Sequence, residues 1–382
     1  MDRLVSIARE GSTAIITMMN PPVNVLSREL ASAVSECWDE FAANPELKTM
    51  VLTGSGKTFI AGADIREIER ITRHEIPPDL GYLNALLNKM EGGSKPVIMA
   101  MNGAALGIGL ETAMAGHYRI LKAGSALSQP EVKLGLIPGA GGTQRLPRLA
   151  GLAMALQMIV RGETIQAAEA PGLIDEVVEG DVVERALAVA PSVKLRRSCE
   201  LPCGEWPNFE VSGEERAPHR GVLAIRAAAQ SPNFLEGLAH EEALFRECLL
   251  DEQARALVYL FFAEREAVKA PGQAAAPALR CETHETPGKV VEVRKAKTTS
   301  DEDISATFAF LKKQGKMPVL CIGESGWMSD WLAVEDARRV ILEGMAARPS
   351  DVDVAAVHGF NFPAYLGGPI YRKERSLEMS GA

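Results

Sequence analysis

The chain is poor in the features that mark several protein classes. Aromatic residues make up 5% of its 382 positions, and its six cysteines are scattered, at 37, 199, 203, 248, 281 and 321. Thiols so spread along a long chain are not a disulfide framework, and a reduced, cytoplasmic protein is expected. Cys199 and Cys203 have no neighbouring Cys or His pair, so no metal site is expected there. Positive charge is in deficit, with a formal net charge of −9. That balance argues against sequence-independent nucleic-acid binding and leaves any polyanionic ligand to a local basic patch. No apolar run approaches the ~20 residues of a membrane span, and the opening MDRLVSIARE lacks an apolar signal core, so no membrane insertion is expected. What is present is the balance of an ordinary globule, 47% hydrophobic and 24% charged, with enough chain for one and a half to two domains.

Along the first half, strand-like and helix-like segments alternate, which implies an α/β architecture. Residues 4–8 and 13–18 read as a hairpin around Glu10-Gly11-Ser12, and Ser27 is a good N-cap for a helix running to about Ala43. Met50–Thr53 reads as a buried strand. The following Gly54-Ser55-Gly56-Lys57-Thr58 suggests a phosphate loop, but Val51 stands where its first glycine belongs and no helix pattern follows. Helices are expected around residues 80–90, over 149–160 and from Ala167. Residues 191–213 have little periodicity, helical patterns return from 221 to 270, and Ala270–Pro277 has linker composition.

The chain centres on Asn102–Arg148. The apolar run Pro96–Met101 reads as a buried strand, and Gly107-Ile108-Gly109 leads into a helix starting near Ile108. The first turn of such a helix offers unpaired backbone N–H groups and a positive dipole end, where an oxygen gaining negative charge is stabilised. Glu111 lies in that turn. Glu131, after Gln129-Pro130, is a second carboxylate on the following loop.

The strings NGAALGIGLE (102–111), SQPEVKLGLIPGAGGTQRLPR (128–148) and Phe59-Ile-Ala-Gly-Ala-Asp-Ile65 together resemble the enoyl-CoA hydratase/isomerase, or crotonase, family. The resemblance implies an α/β spiral of ββα units with a helical C-terminal part. It implies Glu111 and Glu131 as the catalytic pair, and the backbone N–H groups of Ala63 and Ile108 as an oxyanion hole. Ala61, Gly62, Asp64, Ile65, Arg66, Gly107, Pro138 and Gly139 would contact the acyl-CoA thioester, with Lys57 a further candidate for its phosphates. Coenzyme A enters as part of the substrate, and no other cofactor is implied. Ile108 departs from the family, which has the central glycine of a GGG run at that position. Hydration of a trans-2-enoyl thioester in fatty-acid β-oxidation is the leading implication. Double-bond isomerisation, another crotonase-type reaction and acyl-CoA binding with impaired turnover remain alternatives.

Glu236-Gly-Leu238, Ala254–Leu257 and Phe261–Ala267 resemble the branch in which the hydratase is fused to 3-hydroxyacyl-CoA dehydrogenase. The expected organisation is a catalytic core at 1–190, a helical extension at 191–270, a linker at 271–288, and a mainly helical dehydrogenase remnant at 289–382. The remnant lacks GxGxxG between strand and helix, so NAD binding in that family's manner is not expected. Both a homo-oligomer and association with other β-oxidation enzymes stay open.

Overall fold

The computed structural model describes residues 4–79, 81–207, 209–272, 276–324, 326–332 and 336–380. Residues 1–3, Leu80 and 273–275, on which parts of the expected N-terminal stretch, third-helix start and linker fall, lie outside the described residues. The chain divides into two compact units, Met1–Asp251 and Glu252–Ala382.

In the first unit, β1 (Val5–Glu10) and β2 (Thr13–Met18) pair antiparallel. Helix α1 (Arg28–Ala43) follows, and the Ser27 side chain accepts from the Leu30 N–H at 3.3 Å. The chain then winds in repeats of a longer strand, a short strand and helix. The first repeat is β3 (Thr49–Gly54), β4 (Thr58–Ile60), α2 (Ile65–Thr72) and α3 (Gly81–Glu91). The second is β5 (Val97–Met101), β6 (Ala104–Leu106) and α4 (Ile108–Met114). The third is β7 (Tyr118–Lys122), β8 (Leu127–Ser128), a 3-10 turn Glu131–Leu134 and α5 (Gly142–Ala150). Two further short strands, β9 (Thr164–Ile165) and β10 (Glu176–Val178), complete two sheets of order β1-β2-β3-β5-β7-β10 and β4-β6-β8-β9. This is the α/β spiral that the resemblance implies.

The longer strands are covered on both faces: Met50, Val51, Leu52 and all of Val97–Met101 are fully buried. Parallel strands buried on both sides read as unbroken apolar runs, which is why they are visible in the sequence. Helix α7 (Val182–Val189) covers one face, placing Val182 and Ala186 against Val51, Ile98, Ala100 and Ile120.

Several expectations need correction. The helix expected over 149–160 is interrupted at Gly151 (φ 86°, ψ 160°). Helix α5 ends at Ala150, and α6 (Leu152–Ala155) runs on into a π-turn, Leu156–Val160. The helix expected from Ala167 is a 3-10 turn, Ala167–Glu169, because Pro171 follows two residues later. Before Ile108 the chain forms β6, a strand too short for periodicity to show. Helices α8 (Arg216–Gln230) and α9 (Phe234–Leu249) end the first unit.

The second unit starts within the expected 191–270 extension. Its first helix, α10 (Glu252–Ala267), shares a core with the residues after it: Ala263 and Ala267 pack with Val290, Val319, Val352 and Ala355. Strands β11 (Thr283–Glu285) and β12 (Val290–Lys295) pair antiparallel. β13 (Met317–Ile322), reached through α11 (Asp301–Lys313), pairs parallel with β12. β11 falls in the 271–288 stretch expected as a linker, so that stretch contributes to the sheet. Helices α12 (Met328–Leu332), α13 (Ala337–Leu342), α14 (Pro349–Phe360) and α15 (Pro369–Ser380) complete the unit. β12 enters α11 through Ala296-Lys-Thr-Thr-Ser300, which has no glycine for a phosphate-cradling turn. Buried Asp353 ties three helices together, accepting from the Tyr259 hydroxyl (2.8 Å) and the N–H groups of Ile370 (2.7 Å) and Tyr371 (3.1 Å).

Candidate active site

The site forms where the second and third repeats of the spiral meet. Gly107, at φ 54° and ψ −125°, turns the chain out of β6, and its N–H donates to the carbonyl of Ser128 at the end of β8. Helix α4 starts at Ile108. An N–H at the first position of a helix has no acceptor within it, so that of Ile108 points out of the helix end. A methyl group on Gly109 would come 2.2 Å from the Ile60 carbonyl oxygen. The glycine thus lets the helix start press against the end of β4, from which residues 61–64 continue. The Gly62 carbonyl accepts from the Leu26 N–H at 3.0 Å, which pins this loop. Ala63 and Ile108 therefore lie on neighbouring backbone segments.

Both expected carboxylates are here. Glu111 is 2% exposed, and its Oε1 accepts from the N–H groups of Ala140 and Gly142, each at 2.8 Å. Those bonds fix one oxygen, and Oε2 takes part in neither of them. Glu131, opening the 3-10 turn, retains partial exposure; a methyl group on Gly107 would lie 2.6 Å from its Oε1. With its amide nitrogen turned toward Glu131, Gln129 donates to both carboxylate oxygens at 3.2 Å. Burial is the main reason both carboxyls hold their protons more tightly than usual. It raises Glu111 to about 7 against its two N–H donors and the Arg145 charge, and burial together with the Glu111 charge holds Glu131 well above the usual carboxylate range.

Of the expected substrate contacts, Pro138 is buried, and Gly139, whose carbonyl accepts from the Asn84 side chain at 3.0 Å, is on the loop that leads to Glu111's donors. Asp64 is the N-cap of α2, its side chain accepting from the Arg66 N–H at 2.9 Å. Ala61 and Ile65 flank this loop and are half-buried, while Arg66 and Lys57 have exposed side chains.

Sequence reasoning missed Glu241. This fully buried residue on α9 accepts from the N–H of Gly141 (2.5 Å), the N–H of Thr143 (2.9 Å) and the Thr143 hydroxyl (2.6 Å). Burial and the Glu111 charge push its carboxyl up to about 8. Glu241 follows Leu238 by three residues in the buried stripe of α9, and a carboxylate in an apolar stripe is the signal that would have found it. Arg145, also fully buried, donates to Glu91 (2.9 Å), Asn88 (2.7 Å) and the Ala140 carbonyl (2.9 Å), bracing the same loop.

Comparison with known proteins points to one family. The profile of the enoyl-CoA hydratase/isomerase family matches residues 8–196. The peroxisomal bifunctional enzyme of Danio rerio is 40% identical over 277 residues, which cover 68% of this chain and 38% of the relative. A probable enoyl-CoA hydratase of Bacillus subtilis is 40% identical over 191 residues, 49% of this chain and 74% of the relative. In fold, the chain resembles an enoyl-CoA hydratase/isomerase from Mycobacterium paratuberculosis (TM-score 0.52, 22% identity, covering 68% of this chain and 98% of that one). The chain spans well under half the length of the bifunctional relative. With the carboxylate pair beside the N-terminus of α4 and a relative matched over most of its length, the chain belongs to the enoyl-CoA hydratase/isomerase family.

Proposed function

We propose that the first unit hydrates trans-2-enoyl-CoA reversibly, adding water across the C2=C3 bond as a step of fatty-acid β-oxidation. One observation carries this reading: Glu111 and Glu131 are both held beside the start of α4. A double-bond isomerase needs chiefly one such group, whereas hydration uses two. The thioester carbonyl is received by the amides of Ala63 and Ile108, each worth roughly 3 kcal/mol in stabilising the enolate. Glu111, through its Oε2, takes a proton from water as the oxygen bonds to C3. Glu131 supplies the proton that C2 receives. No metal or redox cofactor has a part in this scheme, and coenzyme A belongs to the substrate. Arg66 and Lys57 meet its phosphates from the exposed rim.

The second unit is a dehydrogenase remnant without NAD-dependent activity in this proposal, because residues 289–382 hold no GxGxxG between a strand and a helix. A reducing compartment such as the cytoplasm fits six cysteines free of disulfides; the word peroxisomal belongs to the relative's name. Among the described residues, no helix is long and apolar enough to cross a membrane.

The test is hydration of short, medium and long trans-2-enoyl thioesters beside isomerisation of a 3-enoyl thioester. Glu111→Gln and Glu131→Gln should each lower hydration by about 10²–10⁴-fold while thioester binding persists. Wild-type rates in either variant would refute the assignment. Isomerisation without hydration would replace this reaction with the other.

A further inference from the structure

The turn Gly139–Thr143 carries four backbone N–H groups shared in alternation between two buried carboxylates. Those of Ala140 and Gly142 go to Glu111, and those of Gly141 and Thr143 go to Glu241. Helix α9, which bears Glu241, grips this segment over three successive turns. One turn before Glu241, a methyl group on Gly237 would lie 2.2 Å from Gln144 Oε1. One turn after it, the Phe245 ring lies 2.6 Å from where a methyl group on Gly139 would sit. Glu241 is fully buried, and all its named bonds go to this turn. A buried carboxyl carries a desolvation cost that its hydrogen bonds only offset, and a packed apolar side chain would fill the same space without it. Here those bonds orient the turn so that its alternate amides face Glu111.

The geometry points to Glu241 as a positioning residue for the reaction: by holding the amides of Gly141 and Thr143, it sets the Ala140 and Gly142 amides that fix Glu111 Oε1 and aim Oε2. This rests on the hydration reading above, in which Glu111 activates water. Glu241 itself touches no reactant. Displacing Glu111 by a fraction of an ångström spoils the approach of water to C3 while leaving the thioester's own contacts in place, so the signature is a loss in turnover without a loss in binding.

The experiment compares Glu241→Gln, Thr143→Val and the double variant with wild type in steady-state hydration of a short enoyl thioester. A carboxamide offers one acceptor oxygen to three donors. Glu241→Gln should lower kcat by roughly 10–100-fold with KM held within about threefold. Thr143→Val removes one donor and should lower kcat in the same direction by less. The double variant should be no slower than Glu241→Gln alone, because both substitutions act through one turn. If Glu241→Gln fails to fold, Thr143→Val decides. Wild-type kcat in the variants, or a fall in kcat matched by a rise in KM, overturns the inference. Carbon-13 NMR titration of the Glu111 carboxyl reads the same link without turnover; the charged groups facing it are Glu131, Glu241 and Arg145. If the wild type hydrates nothing, the reaction assignment has failed, and an unchanged Glu111 titration in both variants overturns the positioning role separately.

Discussion

Glu111 holds its proton until about pH 7, and the proposed reaction uses it ionised, as a base. Hydration should therefore climb as pH rises through about 7, and kcat measured from pH 5.5 to 8.5 checks this; a flat profile would mean the base is elsewhere. Ile108 stands where the family resemblance leads one to expect glycine, and the structure accommodates it as a buried side chain at the start of α4. Ile108→Gly should preserve or raise kcat, since the proposed reaction uses only its amide. Gly109→Ala should lower kcat at least tenfold, because its methyl group meets the Ile60 carbonyl and pushes α4 away from the Ala63 loop. Glu111 and Glu131 were legible in the sequence because each sits in a local string whose glycines and proline set the backbone around it. Glu241 was not, because its partner Gly141 lies 100 residues away and nothing local marks the contact.

Among the elements, the longer strands and α1 were readable: continuous burial and a serine cap leave strong local signals. The break at Gly151 and the short strand β6 were hidden, since a single backbone conformation and a three-residue strand leave no periodicity. The Glu91–Arg145 pair joins α3 to α5 in the interior, at 2.9 Å, and Glu91 also takes the Ser198 hydroxyl and the Cys199 N–H. Its carboxyl stays below the usual range although burial opposes ionisation, because Arg145, Ser198 and Cys199 all favour the charged form. Removing one partner leaves the other charge buried without compensation. Glu91→Ala should cost about 3–5 kcal/mol in urea unfolding. A loss under 1 kcal/mol would mean that water reaches the guanidinium.

At the scale of the whole chain, every residue assigned to the reaction precedes Asp251, so a chain ending there should keep hydration within a few-fold of the full protein, as an enoyl thioester assay would read. Complete loss would show that the reaction depends on residues after Asp251. Glu111 and Glu241 bind protons more tightly folded than unfolded, where such carboxyls titrate near 4.5. Their contribution to stability is fully present below about pH 4.5 and is lost as pH rises through about 7 and 8. Melting followed from pH 5 to 8 should show this decline, with a shallower slope in Glu241→Gln. The organisation beyond residue 251 was the least legible part, because a three-residue strand inside a Gly- and Pro-bearing stretch looks like spacer, and a linker helix looks the same whichever neighbour it joins. The alternation of amides along Gly139–Thr143 also makes the length of this turn part of the site, beside its crowded glycines: one residue inserted there would hand each acid its rival's donors.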